Sequence, residues 1–67
     1  MFYEFKPGHP LPADPQTTQE RQLYHAQRQD RTWATMSREG GTWQWRALRG
    51  EGYGSGTWSE MQGWLQG

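Results

Sequence analysis

The chain of 67 residues contains no cysteine, no valine and no isoleucine. The absence of cysteine excludes disulfide bonds and the usual thiolate zinc sites, so the fold has to be stable without either cross-link. It also makes the fold independent of redox conditions, which is compatible with the cytoplasm, and we expect a cytoplasmic location. A chain this short buries only about 60% of its unfolded surface, so we expect one domain with a stability of order 3–5 kcal/mol.

Long apolar runs and the signatures of catalysis are absent as well. No stretch is long enough to span a membrane, no signal-peptide pattern is present, and the mean hydropathy of −1.21 predicts a soluble protein without a membrane partner. His9 and His25 are not at a ligand spacing, and no serine stands in a nucleophile motif. The glycine-rich stretch Gly50–Gly56 lacks the Lys-Ser/Thr pair of a phosphate loop. We predict a protein that is not an enzyme and that holds no metal and no cofactor.

Aromatic residues take the place of aliphatic ones: the chain has five tryptophans, three tyrosines and two phenylalanines. Each such ring buries roughly 150–250 Å² when it is covered. We therefore expect aromatic rings to form most of the core, and the predicted structural set is Trp33, Trp43, Trp58 and Leu65. Because Trp, Tyr and Arg are also enriched in tight interfaces, we expect one or two tryptophans at the surface.

Charge is zero in total but is unevenly distributed along the chain. Residues 21–50 carry six arginines against two acids, a net +4, whereas residues 1–20 carry one lysine against three acids and residues 51–67 carry two acids, a net −2 each. A basic middle that holds three tryptophans could bind phosphates. It could equally pair with the acidic ends of its own chain, and the neutral total favours that interpretation.

The N-terminal part is predicted to be an extended arm followed by a polar helix. Residues 1–14 form the proline-rich arm, in which Phe2, Tyr3 and Phe5 alternate imperfectly and could form a short edge strand. From Pro7 to Pro12 the chain is expected to be extended or polyproline-like. Asp14 is a good N-cap and Pro15 suits a first helical position, so a polar helix is expected from there to Asp30. The compact part of the single domain 1–67 is then 15–67.

The central stretch is predicted to be a β-hairpin. Residues 32–36 and 42–48 alternate with period two, and Trp43, Trp45 and Ala47 share one face of the second strand. Residues 37–41 supply the glycines of the turn. In the alternative, the polar helix continues through Trp33 and ends at Gly40.

A short C-terminal helix completes the prediction. Thr57 and Glu60 have the spacing of a capping box, and Trp58, Met61 and Leu65 form one apolar stripe. The predicted fold class is therefore α+β, a small single domain with an extended N-terminal arm, one polar helix, a Trp-rich β-hairpin and a short C-terminal helix.

Protein binding is the leading functional hypothesis, because a short aromatic-rich chain without catalytic groups is suited to occupy a surface on a larger protein or complex. In general composition, not in any motif, it resembles small accessory proteins of bacteriophages and mobile elements, which often inhibit or modulate a host complex. A nucleic-acid module that uses Trp and Arg of the hairpin is one alternative. A structural assembly component is another, and self-association is possible under either. The predicted contact residues are Arg38, Trp45, Arg46, Arg49 and Tyr53.

Overall fold

The computed structural model describes residues 8–49 and 52–67, which form a five-stranded sheet and a C-terminal α-helix. The strands lie in the sheet in chain order; the first pair is parallel and the later pairs are antiparallel. The elements are β1 (His9–Pro10), a 3-10 turn (Pro15–Thr17), β2 (Tyr24–Gln27), β3 (Trp33–Glu39), β4 (Thr42–Ala47), β5 (Tyr53–Gly56) and α1 (Trp58–Gln66). The result is a small single compact domain of mixed α and β structure.

The predicted hairpin is confirmed as β3 and β4. Its turn is tighter than expected, because β3 continues to Glu39, which pairs with Thr42 across a two-residue turn. Gly40 in that turn has a φ of 63°, which glycine adopts without strain. The continuous-helix alternative is therefore wrong.

The polar helix is wrong beyond its first turn. Asp14 does cap the segment, accepting a hydrogen bond from the N–H of Gln16, but only Pro15–Thr17 is helical. The rest of the predicted helix has a thin apolar stripe, whereas in β2 the side chains of Tyr24 and Ala26 fall on one face and reach the core. Tertiary packing therefore favours a strand in a segment with good helix propensity.

Within the described residues, the N-terminal segment is extended at β1, as predicted, and it is attached to the sheet from Gly8 onward. The N–H groups of His9 and Leu11 donate to the carbonyls of Leu23 and His25, both at 3.0 Å. A Cβ at Gly8 would lie 2.5 Å from the carbonyl oxygen of Leu23, so this close approach requires glycine. The strand predicted at Phe2, Tyr3 and Phe5 lies outside the described residues.

The core lies between α1 and one face of the sheet, the core face. The hairpin alternation is confirmed on β4, where Trp43, Trp45 and Ala47 are all buried. The buried side chains that join them are Tyr24, Ala34, Met36, Met61 and Leu65. Burial of Trp43 and Leu65 confirms two members of the predicted structural set, and Trp58 packs its half-buried ring at 5.2 Å from that of Trp43.

Helix α1 has the predicted capping box and the predicted buried stripe. The N–H of Glu60 donates to Oγ1 of Thr57 at 3.2 Å, and the N–H of Thr57 donates to Oε1 of Glu60 at 3.1 Å. The end of α1 is tied to the β2–β3 turn, because the N–H of Gln29 donates to the carbonyl of Leu65. Within residues 8–49 and 52–67, no helix has the length and apolar character needed to cross a membrane.

Candidate binding surface on the open sheet face

The second face of the sheet is not covered by α1. Side chains alternate along a strand, so the residues between the buried ones of β3 and β4 point away from the helix. The cross-strand register extends this assignment to β2 and β5. We call this surface the open face; its central residues are His25, Trp33, Thr35, Ser37, Gln44, Arg46, Tyr53 and Ser55.

Two large aromatic side chains project from the open face. Trp33 is 42% exposed and Tyr53 is 81% exposed, and they are the exposed large hydrophobic residues of the described chain. The ring of Trp33 packs edge-on against that of His25, with the centroids 5.5 Å apart. Arg46 is directly opposite Tyr53 on the neighbouring strand. The open face therefore combines Trp, Tyr and Arg, the three side chains that dominate binding energy in protein interfaces.

A groove of about 740 Å³ lies on the open face beside Arg46 and Tyr53. Its lining includes the short side chains of Thr35, Ser37 and Ser55 and the longer ones of Leu23 and Tyr53. The short residues leave a depression that is rich in hydroxyl groups. A partner that enters this groove therefore meets hydrogen-bonding groups at its centre and an aromatic ring at its border.

The structure brings together only part of the predicted contact set. Arg46 and Tyr53 are neighbours on the open face, and Arg49 is exposed at the end of the first described segment. Trp45 instead lies in the core, 8% exposed, with its ring 6.0 Å from that of Trp64. The alternation that puts Trp43 in the core puts Trp45 there as well, so it is not available as a surface contact.

Arg38 has a structural role on the core side of the sheet. Its Nε donates to Oγ1 of Thr18 at 3.1 Å and its Nη2 donates to the carbonyl of Thr18 at 2.9 Å. Thr18 is buried, so the guanidinium fastens the segment after the 3-10 turn to β3. This explains why Arg38 is half-buried and does not belong to the open face.

The sequence predicts a structural role for Trp33 in the core, and that prediction is wrong, since its side chain is 42% exposed. On β3, Ala34 and Met36 are the residues that pair with the buried face of β4, so Trp33 has to point the other way. The sequence does show that Trp33 and Thr35 share a face. It does not show which face is covered, because a tryptophan is usually a better core candidate than an alanine.

The arginines of the basic middle segment are dispersed over the molecule. Arg21 pairs with Glu39 at 3.1 Å, and both side chains are largely exposed. Arg28 lies 4.1 Å from the centre of the Trp64 ring and donates to the Trp64 carbonyl. These placements leave Arg46 as the arginine at the centre of the open face. The segment charge of +4 therefore does not form one phosphate-binding patch.

Among the described residues, Asp30 is the titratable group whose pKa clearly departs from its ordinary value. The Thr32 hydroxyl and the Thr32 N–H both donate to Oδ1 of Asp30, and these bonds lower the pKa of that carboxyl below its ordinary value. Through these two bonds the carboxylate stabilises the β2–β3 turn. Within the described ranges, no cluster of three His, Cys, Asp or Glu side chains could hold a metal ion.

Comparison with protein families, curated proteins and solved structures finds no match to this chain.

Proposed function

We propose that this chain is a non-enzymatic protein-binding module that holds its partner on the open face. The observation that carries the proposal is that both exposed large aromatic residues, Trp33 and Tyr53, project from the sheet face that α1 leaves uncovered. Arg46 stands beside Tyr53, and aromatic rings with arginine are the typical anchors of an interface.

The rigidity of the sheet supports this assignment. The anchors lie on β3, β4 and β5, whose backbones are fixed by the antiparallel ladder, so binding orders few groups. The groove beside Tyr53 is lined by Ser37, Gln44 and Ser55, which can exchange hydrogen bonds with a peptide or a polar protein surface. We infer a partner surface that presents an apolar or aromatic group together with an acidic side chain for Arg46.

The biological role that fits this surface is modulation or inhibition of a larger complex, of the kind suggested by the resemblance to phage accessory proteins. A structural assembly component would use the same surface. The two roles differ in stoichiometry, since an inhibitor saturates one target whereas an assembly component is incorporated in many copies.

Nucleic acid is the second candidate, and the placement of Arg46 beside an exposed Tyr53 is the observation that favours it. Single-stranded nucleic acids bind aromatic rings and basic groups on open sheet faces. However, Trp43 and Trp45 are both buried, so neither tryptophan of β4 offers a ring on which a base could stack. This makes nucleic acid the weaker of the two candidates.

The test is capture of partners from bacterial lysate, with and without nuclease, by the wild-type chain and by a variant carrying Arg46→Glu and Tyr53→Ala. We expect one dominant protein, resistant to nuclease, whose binding is about 100-fold weaker for the variant, since two anchor residues are lost. The matched control is Ser59→Glu with Gln66→Glu, which makes the same change in net charge on exposed positions of α1. It should bind within about twofold of the wild type.

Two results would contradict the proposal. One is a variant that keeps the wild-type circular dichroism spectrum and still binds with full affinity. The other is the loss of captured material on treatment with nuclease or with moderate salt, which would make nucleic acid the favoured partner.

A further inference from the structure

The two edges of the sheet differ in how well they are protected. At one edge β1 is only two residues long and contains Pro10, features that discourage pairing with another chain. At the other edge β5, Tyr53–Gly56, has no proline and no charged residue, and its register with β4 is free of bulges. Among the described residues, no strand pairs with the outer side of β5.

The ladder between β4 and β5 shows which backbone groups of β5 face outward. The N–H of Ala47 donates to the carbonyl of Gly52 at 2.6 Å, so that pair is hydrogen-bonded. Hydrogen-bonded pairs alternate along an antiparallel ladder, so Gly54 and Gly56 also direct their backbone groups toward β4. The N–H and C=O groups of Tyr53 and Ser55 consequently point away from the sheet, ready to pair with another strand.

We propose that this edge pairs with a second copy of the chain, β5 antiparallel to β5, with the two-fold axis at Gly54. Tyr53 is then opposite the partner's Ser55, and the outward groups form four backbone hydrogen bonds across the axis. The two sheets join into one continuous sheet with both open faces on the same side. The dimer goes beyond the proposed function, because it uses the edge of the sheet and not its face.

Charge complementarity identifies the second copy as the occupant. The carboxylate of Glu60 lies over Gly56, with its Cδ 2.9 Å from the position of a Cβ there. Nη1 of Arg28 lies over Gly52, 3.7 Å from the position of a Cβ there. In the proposed register Gly56 is opposite the partner's Gly52, so each Glu60 is brought near an arginine of the other copy. An unrelated strand would not supply this symmetric pair.

The side chains of β5 also fit this arrangement. On the core face the strand has only glycines, and Trp45 packs over Gly54, so no β5 side chain obstructs the approach of the partner on that side. On the open face Tyr53 becomes a diagonal neighbour of the partner's Tyr53, within reach of ring contact. The dimer thus covers part of the side chain that is 81% exposed in the single chain.

Analytical ultracentrifugation of the purified chain over a concentration series tests the dimer. We expect a reversible monomer–dimer equilibrium that Ser55→Pro weakens about 10- to 100-fold, because the missing N–H removes two of the four cross-axis hydrogen bonds. The β4–β5 ladder is preserved, since that N–H points outward. Ser55→Ala, which keeps the N–H, should change the dissociation constant by about twofold at most.

A wild-type chain that stays monomeric at every concentration would overturn the proposal, and so would a folded Ser55→Pro chain that dimerises like the wild type. Equal weakening by Ser55→Ala would also overturn it, because the serine side chain and not the backbone would then hold the dimer. These measurements contain no other protein, so their failure and the failure of the proposed partner binding are distinguishable.

Disulfide cross-linking checks the register without relying on the proline variant. Because the chain has no native cysteine, the introduced cysteines are the only thiols present. A Tyr53→Cys chain is mixed with a Ser55→Cys chain under mild oxidation. Opposite residues have Cα atoms about 5.5 Å apart, within disulfide range, whereas two copies of position 53 are diagonal and farther apart. Disulfides should therefore form mainly between the two different chains. Disulfides mainly within each single variant would reject this register.

Discussion

The two faces of the sheet come from the same strands and differ in burial. On β4 the residues Trp43 and Trp45 enter the core, while Gln44 and Arg46 between them remain exposed. On β3 Ala34 and Met36 point inward, whereas Trp33 points outward. The comparison shows that side-chain size does not decide the face of a residue. The strand with the stronger alternation, β4, determines which face of the sheet is buried. The register of β3 with β4 then places the residues of β3.

The largest difference between the two faces is expected in the free energy of unfolding of Trp43→Ala compared with that of Tyr53→Ala. Trp43 is 2% exposed, so its removal leaves a cavity and should lower the free energy of unfolding by about 3–5 kcal/mol, comparable to the whole stability of a chain this size. Tyr53 is 81% exposed, and its removal should cost less than about 1 kcal/mol. Urea denaturation followed by circular dichroism measures both. Equal losses would mean that the two faces are not distinct.

A smaller difference in stability is expected between alanine substitutions at two glycines, Gly54 and Gly63. A Cβ at Gly54 would lie 2.7 Å from Nε1 of Trp45, a buried ring with little room to move, so Gly54→Ala should destabilise the chain by about 1–3 kcal/mol. Gly63 in α1 has no atom within 4 Å of such a Cβ, and Gly63→Ala should stabilise the helix by about 1 kcal/mol. Thermal melts of the two variants should therefore shift in opposite directions. A stabilising Gly54→Ala would show that Trp45 does not pack against β5.

These contrasts also show which parts of the fold could be predicted from the sequence. The capping box at Thr57 and the alternation of residues 42–48 are local patterns, and both are confirmed. The pair Arg46 and Tyr53 could be proposed because alternation places Arg46 opposite the tryptophan face. Local patterns are sufficient where one element determines its own geometry.

The errors arise where distant residues determine the outcome. Residues 24–27 have helix-forming neighbours, yet they form β2 because they pair with β3 on one side and β1 on the other. Trp33 lies on the open face because of its register with β4, and Arg38 is structural because of Thr18, which is twenty positions away in the chain. Periodicity is evaluated over short windows of sequence. These contacts join residues that are too far apart in the chain to fall within one such window.

The smallest expected difference in stability concerns Arg38 and Arg46, two of the three arginines that the sequence predicts as contacts. Arg38→Ala removes both hydrogen bonds to the buried Thr18 and should lower the free energy of unfolding by about 1–2 kcal/mol. Arg46→Ala changes an exposed residue of the open face and should cost about 0.5 kcal/mol or less. In the capture experiment the order reverses: Arg46→Ala weakens partner binding, whereas Arg38→Ala binds normally at temperatures where it is folded. If Arg38→Ala lost binding while remaining folded, the partner surface would have to extend around the sheet to the Thr18 side, and the open face would be only part of it.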